Sequence, residues 1–398
     1  MVLNSVKTRE DLGERNRRAV LAEILFHGPL PRGKIAERIG LTAASVSRIT
    51  RDMLTANLIE ECEATVEDEA RRGRRFIGLK IRSDSYFVAG IAINAFRQDV
   101  VIADLTNTTL ARRRLHANDL SSLENLLQNS TELLNELIHE TRLERERFIG
   151  CGLIITGAVD PVKGVLRSAP VTGWKNIPAA ECVTQILDMP VFMDNIPNAK
   201  NLAAHGFAAT KGTKNVLLFN ASLAIGCSLL LDGRLLRGPK NNAGLIESMK
   251  IPDAAGTLRP LDNVAGGLAV IAAEQGVEPR NGEQQAVALT EVIEQGNSGE
   301  PAAITCLQHA GRALAYVISL SNALLHPDAI ILSGPLAKSE SYCAALRERL
   351  ANLSGSGFVR EHLHISHMSG FEAAQSLAIY QALEHGQIGV KTGESGTV

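Results

Sequence analysis

The sequence predicts an α/β protein: a winged helix-turn-helix head followed by two related α/β lobes. Three observations carry this. Residues 31–59 read as two short amphipathic helices joined at a glycine. An arginine-rich turn between two strand-like stretches follows them. From Tyr86 onward the periodicity changes, and an order of apolar hairpin, helix and strand occurs twice.

In the head, residues 14–27 are amphipathic, with Val20, Leu21, Ile24 and Leu25 on the apolar side, and Gly28-Pro29 ends that helix. Ile35, Ala36 and Ile39 place a second short helix over 32–39. Gly40 supplies the left-handed residue that a sharp helix end needs. Thr42 is a good N-cap for a third helix with Val46, Ile49, Met53 and Leu54 inward. Its outward face carries Ala43, Ala44, Ser45, Ser47, Arg48 and Arg51. Small residues there let the backbone approach base edges, and the arginines can reach bases or phosphates. Strands near 58–63 and 75–81 form a hairpin whose tip holds Arg71, Arg72, Gly73, Arg74 and Arg75. That is a basic wing, suited to the negative potential of a minor groove. The expected DNA contacts are Arg32, Thr42, Ser45, Ser47, Arg48 and Arg51 from the helices, with Arg71, Arg72, Gly73 and Arg74 from the wing. An αα-hairpin beside a solvated charged loop shows the same residues; their succession favours double-stranded DNA as the partner.

In the body, 86–95 and 98–105 are hairpin strands, a third strand follows near 108–116, and leucines repeat helically over 120–140. A buried strand entering a turn over 148–160, a helix over 181–187, a strand at 190–195 and a helix over 198–207 come next. A second apolar hairpin spans 215–235. Helices over 285–293 and 303–325, a strand at 329–334 and a helix over 372–384 complete it. The expected domains are 1–82, 86–385 and a disordered tail at 386–398.

The 398 residues allow two or three domains, and aromatics at only 4% make the cores aliphatic. Residues 1–82 hold 16 basic and 12 acidic side chains against 25 and 31 in the rest, a basic head on an acidic body. Six scattered cysteines with no C-x-x-C pair argue against structural zinc and a disulfide framework. No stretch is apolar enough to span a bilayer, so the chain is expected in the cytoplasm, with no membrane partner.

Two segments carry a family resemblance. VDPVKGVLRSAPVTGWKNIPAAECVTQILDMPVFMDNIPNAKNLAAHG (159–206) is similar to a V-D-P-x-x-G turn, a G-W before a helix and a V-x-V-E-N-D-A-N-A-A-A-L-A stretch. LLLDGRLLRGPKNNAGLI (229–246) is similar to a hairpin running into A-G-E-I-G-H. Over 14–385 the chain resembles the ROK family (repressors, open reading frames, sugar kinases). The resemblance implies a two-lobed, actin-like ATPase-type body, dimerisation and, behind a winged helix, a repressor.

Departures from the pattern bear on function. The kinases' D-x-G-G-T stretch corresponds to Gly90–Phe96, with Ala92 for the acid and Asn94 and Ala95 where glycines would pass phosphate. E-N-D has become Asp194-Asn195-Ile196, and isoleucine cannot act as the general base. The second phosphate loop reads Ala221–Gly226. The zinc segment has no His or Cys after Ala243-Gly244. In the sugar pocket, Pro170, Leu245 and Ser248 stand for an Asn, a Glu and a His. Asn195 stays in register, and Asp194 and Glu247 lie close by, so these three are the candidate ligand contacts; Asp194 could instead cap the following helix.

The expected function is therefore a non-enzymatic regulator, most simply a repressor of carbohydrate-related genes, acting as a homodimer or dimer of dimers. No cofactor is expected. A sugar or sugar-derived effector would occupy the cleft; the alternative is an empty cleft kept as a dimerisation platform. A sugar kinase fused to the head, and a scaffold with a vestigial head, are the competing functions.

Overall fold

The computed structural model describes residues 9–65, 75–115, 120–208, 210–253, 255–275 and 282–388. Helices α1 (Arg9–His27), α2 (Arg32–Ile39) and α3 (Ala43–Thr55) precede strands β1 (Ile59–Thr65) and β2 (Arg75–Ile81). Gly40 ends α2 at φ 68°, ψ 29°, the left-handed stop the sequence predicts. Thr42 caps α3 by accepting the Ser45 N–H at 3.2 Å. Val20, Leu21, Ile24, Ile35, Val46, Ile49 and Met53 close the three helices on each other. The antiparallel β1–β2 hairpin is fastened below them where Leu30 and Leu79 exchange backbone hydrogen bonds of 3.1 and 2.8 Å. This arrangement fits a winged helix-turn-helix; Arg71, Arg72, Gly73 and Arg74 of the wing lie outside the described residues.

The first lobe comprises β3 (Phe87–Ile93), β4 (Gln98–Asp104), β5 (Thr109–Leu115), α4 (Leu123–Thr141) and β6 (Phe148–Ile155). A small sheet of β7 (Ala158–Asp160), β8 (Val165–Ala169) and β9 (Trp174–Ile177) follows, then α5 (Ala179–Leu187) and β10 (Val191–Asn195). After α6 (Ile196–Phe207), the second lobe has β11 (Val216–Ala221), β12 (Ile225–Leu231), β13 (Arg234–Leu235), β14 (Lys250–Pro252) and β15 (Leu258–Pro260). It continues with α7 (Asp262–Ala265), α8 (Gly267–Gln275), α9 (Gly282–Asn297), α10 (Pro301–Leu325) and β16 (Ala329–Ser333). Helices α11 (Glu340–Ser354) and α12 (Ser356–His362), strand β17 (Leu363–Ile365) and α13 (Gly370–Glu384) end it.

The two five-stranded sheets share one plan. Their orders are β5-β4-β3-β6-β10 and β13-β12-β11-β16-β17, each an antiparallel meander extended by two parallel strands. This is the repeated α/β half that the sequence predicts. Helix α11 and the β7–β9 sheet escaped the periodicity reading. In α11 the buried positions mix Tyr342, Cys343 and Ala345 with leucines, so no clean apolar stripe marks it.

Two helices cross between the lobes. Helix α6 leaves the first sheet and packs on the second; α13 leaves the second and packs on the first. Ile196, Ala199 and Leu202 of α6 meet Ala373, Ala374 and Leu377 of α13 in a cluster that also takes Ala92 and Ile154 from one sheet and Leu218 and Ile331 from the other.

The far ends of these helices hold the head. Phe26 of α1 stacks on Tyr380 of α13 at 4.6 Å between centroids and meets Phe207 of α6 edge-on at 5.4 Å. The Arg18 guanidinium donates to the Glu384 carbonyl at 2.7 Å. The head core is continuous with Val88, Ala103, Ile379, Ala382 and Leu383 of the body, so the boundary expected near 82–86 separates topology but not packing. Ile388, placed in the expected tail, is 4% exposed in the same core; residues 389–398 lie outside the described residues.

Gly206 makes this junction possible. A Cβ there would stand 2.6 Å from the Tyr380 hydroxyl and 3.0 Å from the Phe26 ring. Gly206→Ala should cost about 1–3 kcal/mol through overpacking. It should also release the head, visible as a new protease cut within 82–86. An unchanged digestion pattern would show that the head does not depend on this contact.

Candidate functional site

A cavity of about 710 Å³ opens between the lobes at the N-termini of α6 and α13. Asn195, Lys200, Glu247, Asp262, Gly334 and Ser369 are among its lining residues. Asn195 is the N-cap of α6, its Oδ1 accepting the Asn198 N–H at 2.9 Å, and it lines the cavity. Glu247 also lines it. Asp194 does not, and this corrects its assignment as a ligand contact. Its fully buried carboxylate accepts from Arg237 at 2.7 Å, from the Asn195 N–H at 2.8 Å and from Asn198 Nδ2 at 2.9 Å. Asp194 is spent on joining β10 to the loop after β13, across the lobes.

The two turns that would cradle nucleotide phosphates are closed by the chain's own groups. Asn94 Oδ1 accepts the N–H groups of Phe96 at 2.8 Å and Arg97 at 3.1 Å. Ala92 is 1% exposed and packs toward Gly370, where a Cβ would be 3.2 Å away. In the second turn the Ser222 N–H donates to the Ala224 carbonyl, and the Asp262 carboxylate takes the Ile225 N–H at 2.7 Å. A triphosphate would have to displace Asn94 and approach Asp262, so these residues do not fit ATP. Ile196, at the general-base position, lines the cavity with an aliphatic side chain that cannot accept a proton.

The zinc segment's place is taken by the β14–β15 hairpin. Its Ile251 is buried, and Asp253 closes its turn by accepting from the N–H groups of Ala255 and Thr257, both at 2.9 Å. Arg259 completes the turn with a 2.8 Å ion pair to Asp253. No cluster of three or more metal-ligating side chains occurs among the described residues, so the residues present do not fit zinc.

Sequence reasoning missed Lys200 and Asp262. Lys200 lies one turn into α6, 6% exposed, and its Nζ donates to Asn220 Oδ1 at 3.1 Å and Ser333 Oγ at 3.0 Å. Burial pushes its ammonium down to about 8, with Lys338 adding repulsion. Burial likewise pushes the Asp262 carboxyl up to about 7, opposed by the Ile225 N–H and helped by Glu247. A lysine inside an alanine-rich helical run was the available signal, but a periodicity reading takes it for a solvated face.

On the head, α3 buries Val46, Ile49, Thr50 and Met53 and leaves Thr42, Arg48 and Arg51 exposed, with Ser45 and Ser47 half-buried. Arg48 and Arg51 make no ion pair among the described residues. Arg32 is held by Glu61 at 2.7 Å and by Thr50 Oγ1 at 3.2 Å, bracing α2 and α3 against β1.

These burials set a pH dependence. Between about pH 4 and 7 Asp262 holds a proton folded that it loses unfolded, so stability falls as pH rises through that window. Between about 8 and 10.5 unfolded Lys200 binds a proton that the folded protein lacks, so stability rises there. Lys200→Met should therefore stabilise the protein at pH 7, by roughly 2 kcal/mol, and flatten the alkaline limb. Urea unfolding at a series of pH values checks this; a destabilised variant would mean the hydrogen bonds outweigh the burial of charge.

No helix among the described residues is long and apolar enough to cross a membrane. The ROK family model matches residues 88–378. The DNA-binding transcriptional dual regulator NagC of Escherichia coli K12 is 24% identical over 363 residues, covering 88% of this chain and 87% of that protein. A xylose repressor of Bacillus spizizenii is 24% identical over 331 residues, covering 81% and 83%. The crystal structure of a ROK family transcriptional regulator, a homologue of the E. coli MLC protein, superposes with a TM-score of 0.72 at 21% identity, over 95% of this chain and 99% of that one. The match spans both lobes and both crossover helices, and the chain belongs to the ROK family.

Proposed function

We propose that the chain is a DNA-binding transcriptional repressor of sugar-related genes, acting in the cytoplasm, whose body senses a small molecule without phosphorylating it. The observation that carries this is Ile196 at the mouth of a sizeable cavity: the cleft is kept, and the proton acceptor for a sugar hydroxyl is not. Regulators such as NagC and the xylose repressor, matched over 88% and 81% of this chain, favour the same reading. The sugar-kinase alternative loses support because both phosphate turns are occupied internally. An ATP-consumption assay with a panel of sugars should stay at background, and turnover would overturn the proposal.

In this reading α3 lies in the major groove, presenting Thr42, Ser45, Ser47, Arg48 and Arg51, while Arg71, Arg72, Gly73 and Arg74 of the wing follow the phosphates or the minor groove. Arg32 acts from behind them, through its brace to β1. A homodimer on a pseudo-palindromic operator supplies two such heads. Its interface is the exposed face of α10, where Tyr316, Leu320 and Leu324 recur at one-turn spacing and Leu324 is 83% exposed.

The effector would act through the crossover helices. Asn195 and Ser369, at the N-termini of α6 and α13, border the cavity; Phe207 and Tyr380, near their other ends, grip Phe26. The Asp194–Arg237 pair and the 2.7 Å hydrogen bond from Arg167 to Asn242 tie the lobes together beside the cleft. A ligand that changes the lobe angle would move both helices, and with them the spacing of the heads.

Two outcomes follow. Arg48→Ala should weaken operator binding by about 1–3 kcal/mol and relax selectivity at one base, measured by titration against the promoter region of its own gene. Unchanged affinity would put the wrong face of α3 in the groove. Leu320→Glu with Leu324→Glu should give a monomer by sedimentation and lose tight operator binding, whereas a persistent dimer would exclude α10 as the interface.

A further inference from the structure

At the wall of the cavity, Lys200 and Asn220 line the space and Ser333 lies fully buried behind them. Lys200 occupies a position where the matching family stretch, read in register from Asp194-Asn195, has alanine. Its ammonium is carried from α6 to the carboxyl ends of β11 and β16, where Asn220 and Ser333 receive it. Parallel strands end there at the mouth of the cleft, a usual place for a ligand in an α/β sheet.

The cluster keeps donors that its own hydrogen bonds leave unused. Lys200 makes no ion pair among the described residues, and two of its three N–H groups are used. Asn220 accepts through its Oδ1, so its amide N–H pair stays available. Ser333 accepts through its oxygen and is fully buried behind the cavity wall, so it holds the ammonium and does not meet the ligand. Lys338, which also lines the cavity, adds a second positive charge. The carboxylate whose charge acts on Lys200 is Glu372, and it is already held by the Ser369 N–H at 2.8 Å and hydroxyl at 2.6 Å in the cap of α13. The carboxylates that line the cavity are Glu247, Asp262 and Glu294, and none forms an ion pair with Lys200 among the described residues. A buried cation facing unpaired donors lacks one thing, an acceptor of negative charge.

We infer that Lys200 and Asn220, with Ser333 buried behind them to hold the ammonium, form an anion-recognition site, and that the effector is an acidic small molecule, a phosphate ester or a carboxylate, with its anionic group on Lys200 and its neutral part toward Asn195. This deepens the reading of the chain as a ligand-responsive repressor and rests on it. The anion offsets the cost of burying the ammonium. That cost also explains the depressed proton affinity of Lys200, which ligand binding would reverse.

The test is calorimetric titration of the full-length protein with matched probes: glucose, fructose and N-acetylglucosamine, their 6-phosphates, gluconate, glucuronate and inorganic phosphate. At least one anion should bind while its neutral parent does not, and the phosphate and carboxylate arms tell the two classes apart. Lys200→Met should weaken that anion by about tenfold or more, and Ser333→Ala by less. Unfolding of each variant, measured in parallel, verifies that it folds. The proposal is overturned if no anion binds at millimolar concentration, if a neutral parent binds as tightly as its anion, or if folded Lys200→Met binds the anion as wild type does. Gel shifts without ligand address the underlying reading separately. Failure of wild type to bind its promoter would remove the regulator assignment while leaving the anion site standing.

Discussion

The close approach of α13 to the first sheet is the contact on which the rest of the molecule depends. At Gly90 and Gly152 the strands have no side chains facing that helix. A Cβ at Gly152 would collide with the Ala374 backbone, and one at Gly90 would be 3.1 Å from the Ala374 methyl. Because the helix lies this deep, α6 can pack beside it, and the pair of crossover helices becomes one aliphatic layer touching both sheets. Packed interiors do not deform continuously; they shift between discrete arrangements. A layer that belongs to both lobes therefore turns any change in lobe angle into a movement of two rigid helices.

Those helices are oriented to make use of it. Both begin at the cavity and finish at the head, a span of roughly 20 Å for the 15 residues of α13. At the cavity end they are held by caps, Asn195 for α6 and the Ser369–Glu372 capping box for α13. At the head end they are held by the rings of Phe26, Phe207 and Tyr380. Coupling between sites needs no more than about 1–3 kcal/mol to alter affinity 5–150-fold. The breaking or making of one interlobe contact such as Asp194–Arg237 is of that order.

The cleft keeps the outline of a phosphoryl-transfer framework without its chemical groups. Asn94 fills its turn with an internal acceptor, Asp262 does the same for Ile225, and Ile196 removes the base. Each change satisfies locally a backbone or cavity surface that a nucleotide would otherwise satisfy. The lost zinc is replaced in the same manner: Asp253 and Arg259 hold the hairpin turn by hydrogen bonds. In the proposed anion site the positive charge has a different source, Lys200 on a crossover helix, so a ligand held there would bear directly on that helix.

The sequence by itself determined the local and repeated features. Gly40 and Thr42 specify the helix-turn-helix because backbone conformation and capping are short-range properties. The alternating apolar hairpins, met twice, specify two sheets of the same plan. The replacements at Ala92, Asn94 and Ile196 could be read as lost chemistry because they fall inside recognisable stretches. Only the tertiary structure decided which polar residues near Asn195 face the cleft. Asp194 and Asn195 are adjacent, and strand alternation sends one into an interlobe ion pair and the other to the cavity. It also decided that the head shares its core with the body, since Phe26 meets a tyrosine more than three hundred residues away in the chain. Lys200 was legible as a letter but not as a site: its meaning comes from Asn220 and Ser333, which only the folding of one sheet against one crossover helix brings to it.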